Sequence, residues 1–134
     1  RQRSRPYLFS NTIAPVIAYT AIKTIDMLNK SSSLREKLMD NTDYFRKKIQ
    51  EIGYTIKEGN HPIVPIMIGD AKLAQTISKE MLKRDVYVVG FSYPVVPKNQ
   101  ARIRVQLSAS HSRIQLNQAL KAFKEVGINL GLFS

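Results

Sequence analysis

Ile103, Val105 and Leu107 alternate with Arg102, Arg104, Gln106 and Ser108 in the run ARIRVQLSAS at 101–110. Strand side chains point to opposite faces with a period of two, so one face here is apolar and the other carries two guanidinium groups. Such a strand can bury only one side. The chain is thereby confined to architectures in which helices cover one face of a sheet and the other face stays polar. On that polar face the arginines are either wet or hold an anion.

The rest of the chain supplies the helices. After a first segment, 1–11, that lacks helical periodicity and reads as an extended arm, a helix is predicted from Ala14 to Asn29. Pro15 suits its first turn, and Ile17, Ala21, Ile25 and Leu28 make an apolar stripe. A second helix is predicted to start at a capping box, Ser33 and Glu36, and to run on Leu34, Leu38, Phe45, Ile49 and Ile52 to a stop at Gly53. YTIKEG (54–59) reads as a short edge strand, and IVPIMIGD (63–70) as a buried strand whose Pro65 calls for an edge or a bulge. Asp70 caps a helix over 71–83, with Leu73, Ile77 and Met81 inward. VYVVGF (86–91) reads as a further strand, SYPVVPKNQ as a loop, and 112–126 as a last helix on Leu116, Leu120 and Phe123, stopped by Gly127. The predicted class is α+β: a mostly antiparallel sheet with helices on one face.

Lys and Arg number 21 against 10 Asp and Glu, a net charge of +11. Such an excess suits an anionic partner, and a basic nucleic-acid-binding module is one reading of it. The basic residues are scattered, however, and no aromatic ladder alternates with them as single-strand binders require; the expectation is surface charge, with no nucleic-acid partner. No apolar run is long enough to span a bilayer, so no membrane partner is expected either. Cysteine is absent, which excludes disulfides and thiolate metal sites and fits a reducing compartment. His61 and His111 stand far apart without carboxylates at ligand spacing, so no metal site is expected; both read as local turn or capping residues. No nucleophile elbow, Walker loop or G-x-G-x-x-G occurs.

Two features carry chemistry. Ser10 and Asn11, in YLFSN, offer a hydroxyl, an amide and backbone N–H groups ahead of a helix, suited either to cradling a phosphate or to capping that helix. Arg102 and Arg104 offer the planar fork that grips a carboxylate through two parallel hydrogen bonds, or else a solvated sheet face.

RQRSRPYLFSN (1–11), MLKRDVYVVGFSYP (81–94) and SYPVVPKNQARIRVQLSASHS (92–112) resemble the α-oxoamine synthases, a family of fold-type I pyridoxal-phosphate (PLP) enzymes, and the likeness runs the whole chain. It implies a small C-terminal domain of such an enzyme. Residues 1–30 would be the leading arm and linking helix from a large PLP-binding domain, and 31–134 the small domain itself. It further implies PLP as cofactor, a homodimer, and Ser10 and Asn11 reaching the PLP phosphate of the neighbouring subunit. Arg104 would bind the substrate carboxylate; Arg102 carries no such assignment. The Schiff-base lysine would lie upstream, leaving no catalytic residue in this chain, which would be inactive alone. The implied reaction condenses glycine with acetyl-CoA to 2-amino-3-oxobutanoate and CoA, in the cytoplasm or, in a eukaryote, the mitochondrial matrix. Another oxoamine synthase, such as 8-amino-7-oxononanoate synthase, is the alternative. Asn99 stands where the family often has Gly, and Asn is the next best residue for a left-handed turn.

Overall fold

The computed structural model describes residues 3–10 and 12–133. It forms two compact units, 1–33 and 34–134. The first contains α1 (Arg5–Phe9) and α2 (Pro15–Lys30). The second contains α3 (Ser33–Ile52, whose first residue belongs to the preceding unit), β1 (Ile63–Gly69), α4 (Ala71–Leu82), β2 (Val89–Phe91), β3 (Ala101–Gln106) and α5 (Arg113–Asn129).

In the first unit, the arm expected to be extended holds one helical turn, α1. Pro6 stands in its first turn, where a proline ring costs no hydrogen bond. The stripe on α2 forms as spaced, yet no residue of this helix is buried: Val16, Ile17, Ile25 and Leu28 stay largely exposed. Periodicity makes a face; it does not supply what covers it.

In the second unit the sheet has the order β1-β3-β2, with both pairs antiparallel. β3 is central. Its Ile103 and Val105 join Val64 and Ile66 of β1, Phe45 and Ile49 of α3, Ile77 and Met81 of α4, and Phe123 and Val126 of α5 in one buried cluster. Pro65 sits on an edge strand as its missing donor requires. Its carbonyl accepts from Lys57 N–H at 3.0 Å on the outer side, so the absent N–H falls outside the β1–β3 ladder. A bulge does occur, between Met67 and Gly69. YTIKEG contributes a single bridge, Ile56 to Ile66, rather than a strand.

The expected strand 86–91 shortens to Val89–Phe91. Asp85 takes a left-handed φ of 59° while Val86 N–H donates back to Met81 O at 3.1 Å, so this stretch first closes α4. Beyond Val89 the strands part, and Val86–Val88 with Val105–Leu107 line a cavity. Asp70 caps α4, its Oδ1 accepting from Leu73 N–H at 2.7 Å. Ser33 lies inside α3 rather than ahead of it, and the hydroxyl of Ser31 accepts from its amide. Both bonds of a capping box are present at Ser112 and Gln115, opening α5.

Gly127 does not stop α5; the helix runs on to Asn129. The left-handed residue that ends it is Gly131, φ 68°, with Gly131 N–H donating to Ile128 O and Leu132 N–H to Gly127 O, the paired bonds of a Schellman close. The turned-back tail lays Phe133 on Gly127, where a Cβ would overlap the ring. Gly53 ends α3 by the same two-bond pattern, as predicted. Tyr54, next to it, is buried against Phe123 and Phe133 and donates its hydroxyl to Phe123 O at 2.9 Å.

Two stability outcomes follow. Gly127→Ala should cost about 1–3 kcal/mol through overpacking, and most of that loss should vanish in a Phe133→Ala background, measured by urea unfolding. Burial raises the Tyr54 pKa from its ordinary 10 to about 12. Below pH 10 both folded and unfolded chains keep this proton, and above it only the unfolded chain readily gives it up, so stability should fall as pH rises from 10 toward 12. Tyr54→Phe should flatten that part of the stability–pH curve.

Candidate functional site

The open face of the sheet carries the candidate site. Since Ile103 and Val105 point into the core, Arg102 and Arg104 point the other way. Pairing sets their neighbours: Arg104 lies between Pro65 on β1 and Val89 on β2, and Arg102 between Met67 and Phe91. Both arginines line a cleft of roughly 380 Å³ together with Lys57, Pro65, Phe91 and Val95. Beyond Phe91 the chain turns through a cis Tyr93–Pro94 peptide, and Asn99 adopts the left-handed φ of 61° that its place in PKNQ suggested.

Among the described residues no carboxylate pairs with Arg102, Arg104 or Lys57. The guanidinium carbon of Arg104 lies over the Phe91 ring, 4.6 Å from its centroid. A cleft with three cations, apolar walls and no internal acid is built to receive a negative group. A carboxylate matches the arginine fork in both charge and shape.

Ser10 belongs to the first unit. It is the C-cap of α1, and its N–H already donates to Pro6 O at 3.0 Å, so that amide is not available to a phosphate. The N-cap of α2 is Ala14, which makes no side-chain cap. Ser10 therefore does not cap the following helix, and its exposed hydroxyl makes no hydrogen bond to a described residue. Asn11 lies outside the described residues.

Both histidines act locally. His61 Nδ1 accepts from Ile63 N–H, and His111 Nδ1 accepts from Ser108 N–H at 3.2 Å. Asn41 ties the same turn, donating to Ser108 O and His111 O. Among the described residues, no three His, Cys, Asp or Glu side chains gather where an ion could sit. Nor is any helix there long and apolar enough to cross a membrane.

One supporting residue escaped the sequence reading. Arg46 of α3 is buried, and its guanidinium donates to Lys57 O and His61 O, each at 3.0 Å. It thus anchors the turn that brings Lys57 to the cleft. The signal was available: Thr42, Arg46 and Ile49 share one helix face, the inward one.

The chain belongs to the aminotransferase class I and II family, whose model matches residues 1–123. Within that family it is 47% identical, over all of its 134 residues, to the 2-amino-3-ketobutyrate coenzyme A ligase of Escherichia coli K12, covering 34% of that protein. It is 49% identical over 127 residues to the human mitochondrial ligase of the same name, covering 30% of it. The 8-amino-7-oxononanoate synthase of Thermoanaerobacter pseudethanolicus is 38% identical over 130 residues, of which 33% is covered. The chain thus spans about a third of the length of these curated relatives. The fold matches the serine palmitoyltransferase of Sphingomonas wittichii with a TM-score of 0.89 at 25% identity, covering all of this chain and 34% of that one. A structure of SPT with PLP matches with a TM-score of 0.90 at 25% identity, covering 99% of this chain and 34% of that one.

Arg46→Lys should destabilise the second unit by about 1–3 kcal/mol, because two guanidinium nitrogens each serve one carbonyl and a single ammonium nitrogen on a shorter reach loses that fixed spacing, weakening or breaking one of the two bonds. Urea unfolding measures it.

Proposed function

We propose that this chain is the small domain of an enzyme that joins glycine to the acetyl group of acetyl-CoA, giving 2-amino-3-oxobutanoate and CoA. The observation that carries the reading is Arg104: an exposed guanidinium that pairs with no carboxylate among the described residues, in a cleft on the sheet's open face that it shares with Arg102 and Lys57 between apolar walls. The likeness to two 2-amino-3-ketobutyrate coenzyme A ligases, closer than that to the oxononanoate synthase, supports the particular reaction.

Arg104 takes the glycine carboxylate through two parallel hydrogen bonds. That grip fixes rotation about the bond between the carboxylate and the α carbon, and so decides that a proton rather than CO₂ is presented for loss. PLP, when bound, supplies an electron sink for the charge that develops at the α carbon. A carbon–carbon bond then forms from that carbon to the acetyl carbonyl carbon and the thioester C–S bond breaks; the sulfur leaves as CoA and, in the net reaction, carries the proton lost from the α carbon as its thiol.

Ser10 fits a place beside the cofactor's phosphate. Its hydroxyl is exposed and makes no hydrogen bond to a described residue, while its amide is not free. With Asn11 it would hold the phosphate of the PLP carried by the neighbouring subunit of a homodimer. SPT solved with PLP supports this choice of cofactor. No lysine of this chain anchors PLP; that residue belongs to the large domain. The human relative's mitochondrial name supports the mitochondrial matrix as the place of the reaction in a eukaryote, and the cytoplasm is its counterpart in a bacterium.

In the full-length enzyme, Arg104→Lys should raise the glycine KM about tenfold or more, the worth of one charge-assisted hydrogen bond, and leave the acetyl-CoA KM unchanged. An unchanged glycine KM would sink the carboxylate assignment. Turnover of another amino acid and a longer acyl-CoA in preference to glycine and acetyl-CoA would favour an oxononanoate-type synthase.

A further inference from the structure

We propose that Phe91 is a positioning residue that holds the guanidinium of Arg104 ready for the substrate carboxylate; this rests on the reading of Arg104 above. An arginine on an exposed strand face has a long, flexible stem, and a bidentate grip needs its plane in one orientation. Among the described residues the Arg104 side chain makes no hydrogen bond and no ion pair, and its guanidinium lies over the Phe91 ring.

The choice of partner matters. An aspartate or glutamate would also orient a guanidinium, but by occupying the N–H donors that a substrate needs. An aromatic ring holds the cation by its face. The five N–H donors lie in the guanidinium plane and stay free for an incoming carboxylate.

The strand that bears the ring is packed closely on α4. Phe91 stands directly across from Arg102, one diagonal step from Arg104, within reach for a cross-strand pair. Gly90, beside it, lets β2 approach α4 so closely that a Cβ there would stand 3.1 Å from Ala74 O. The strand bearing the ring therefore has little play. Val95, after the turn, shares the cleft and borders the same space.

The full-length enzyme tests this with two readouts, steady-state kinetics and glycine affinity by titration calorimetry. Phe91→Leu should raise the glycine KM about two- to fivefold, the size of one exposed cation–π contact, with kcat within about twofold and the acetyl-CoA KM unmoved. Phe91→Tyr, which keeps the ring face, should restore glycine affinity to near the parent value. In an Arg104→Gln background, Phe91→Leu should add no further loss of glycine affinity. The proposal fails if Phe91→Leu leaves the glycine KM unchanged while Arg104→Lys raises it, or if the loss from Phe91→Leu persists undiminished once Arg104 is gone. If Arg104→Lys is itself silent, the carboxylate reading falls, and this inference with it.

Discussion

β3 must keep Ile103 and Val105 against the helices and Arg102 and Arg104 against whatever lies on the other side. A slip of one residue would reverse both sets, pushing two guanidinium groups into a space filled by Phe45, Ile77 and Phe123. Burying those charges without acids costs several kcal/mol apiece. The apolar face thus locks the register, and the register in turn sets Pro65, Val89 and Phe91 around the arginines. The walls of the cleft are a consequence of the core.

The connections around the sheet follow a shared device. α3, α4 and α5 each end on a left-handed residue, Gly53, Asp85 and Gly131, with the same two backward hydrogen bonds. Each close reverses the chain within a few residues. After α3 it delivers the segment pinned by Arg46, which supplies Lys57 to the cleft. After α4 it delays the start of β2, and so opens the cavity between Val86–Val88 and Val105–Leu107. After α5 it returns Phe133 to Gly127.

The two units differ in how their apolar surface is used. In 34–134 nearly every periodic apolar position finds a partner. In 1–33 the stripe on α2 is as regular but unburied, and the exposed Ser10 hydroxyl makes no hydrogen bond to a described residue. The curated relatives that this chain matches are about three times its length.

Local chemistry was legible wherever neighbours in the chain settle the matter. The period-two pattern gave β3 its faces, Asp70 its cap, Gly53 its stop, and Pro65 its edge, because each depends on backbone geometry within a few residues. Arg104 was legible as a cation on a fixed face, and the words around it pointed to its family. Contacts distant along the chain decided the rest. Gly127 reads as a terminator until the tail turns back and uses its missing side chain as a seat for Phe133. VYVVGF reads as a strand of six until α4 claims its start. Arg46 reads as surface charge until the turn at 57–63 brings its carbonyls to it. Most of all, Phe91 lies thirteen residues before Arg104, and no spacing rule joins them; only antiparallel pairing places the ring beneath the guanidinium. What the chain alone determines is which side chains share a face, since that follows from backbone period. What folding decides is which faces meet, since that depends on packing between segments the local sequence cannot compare.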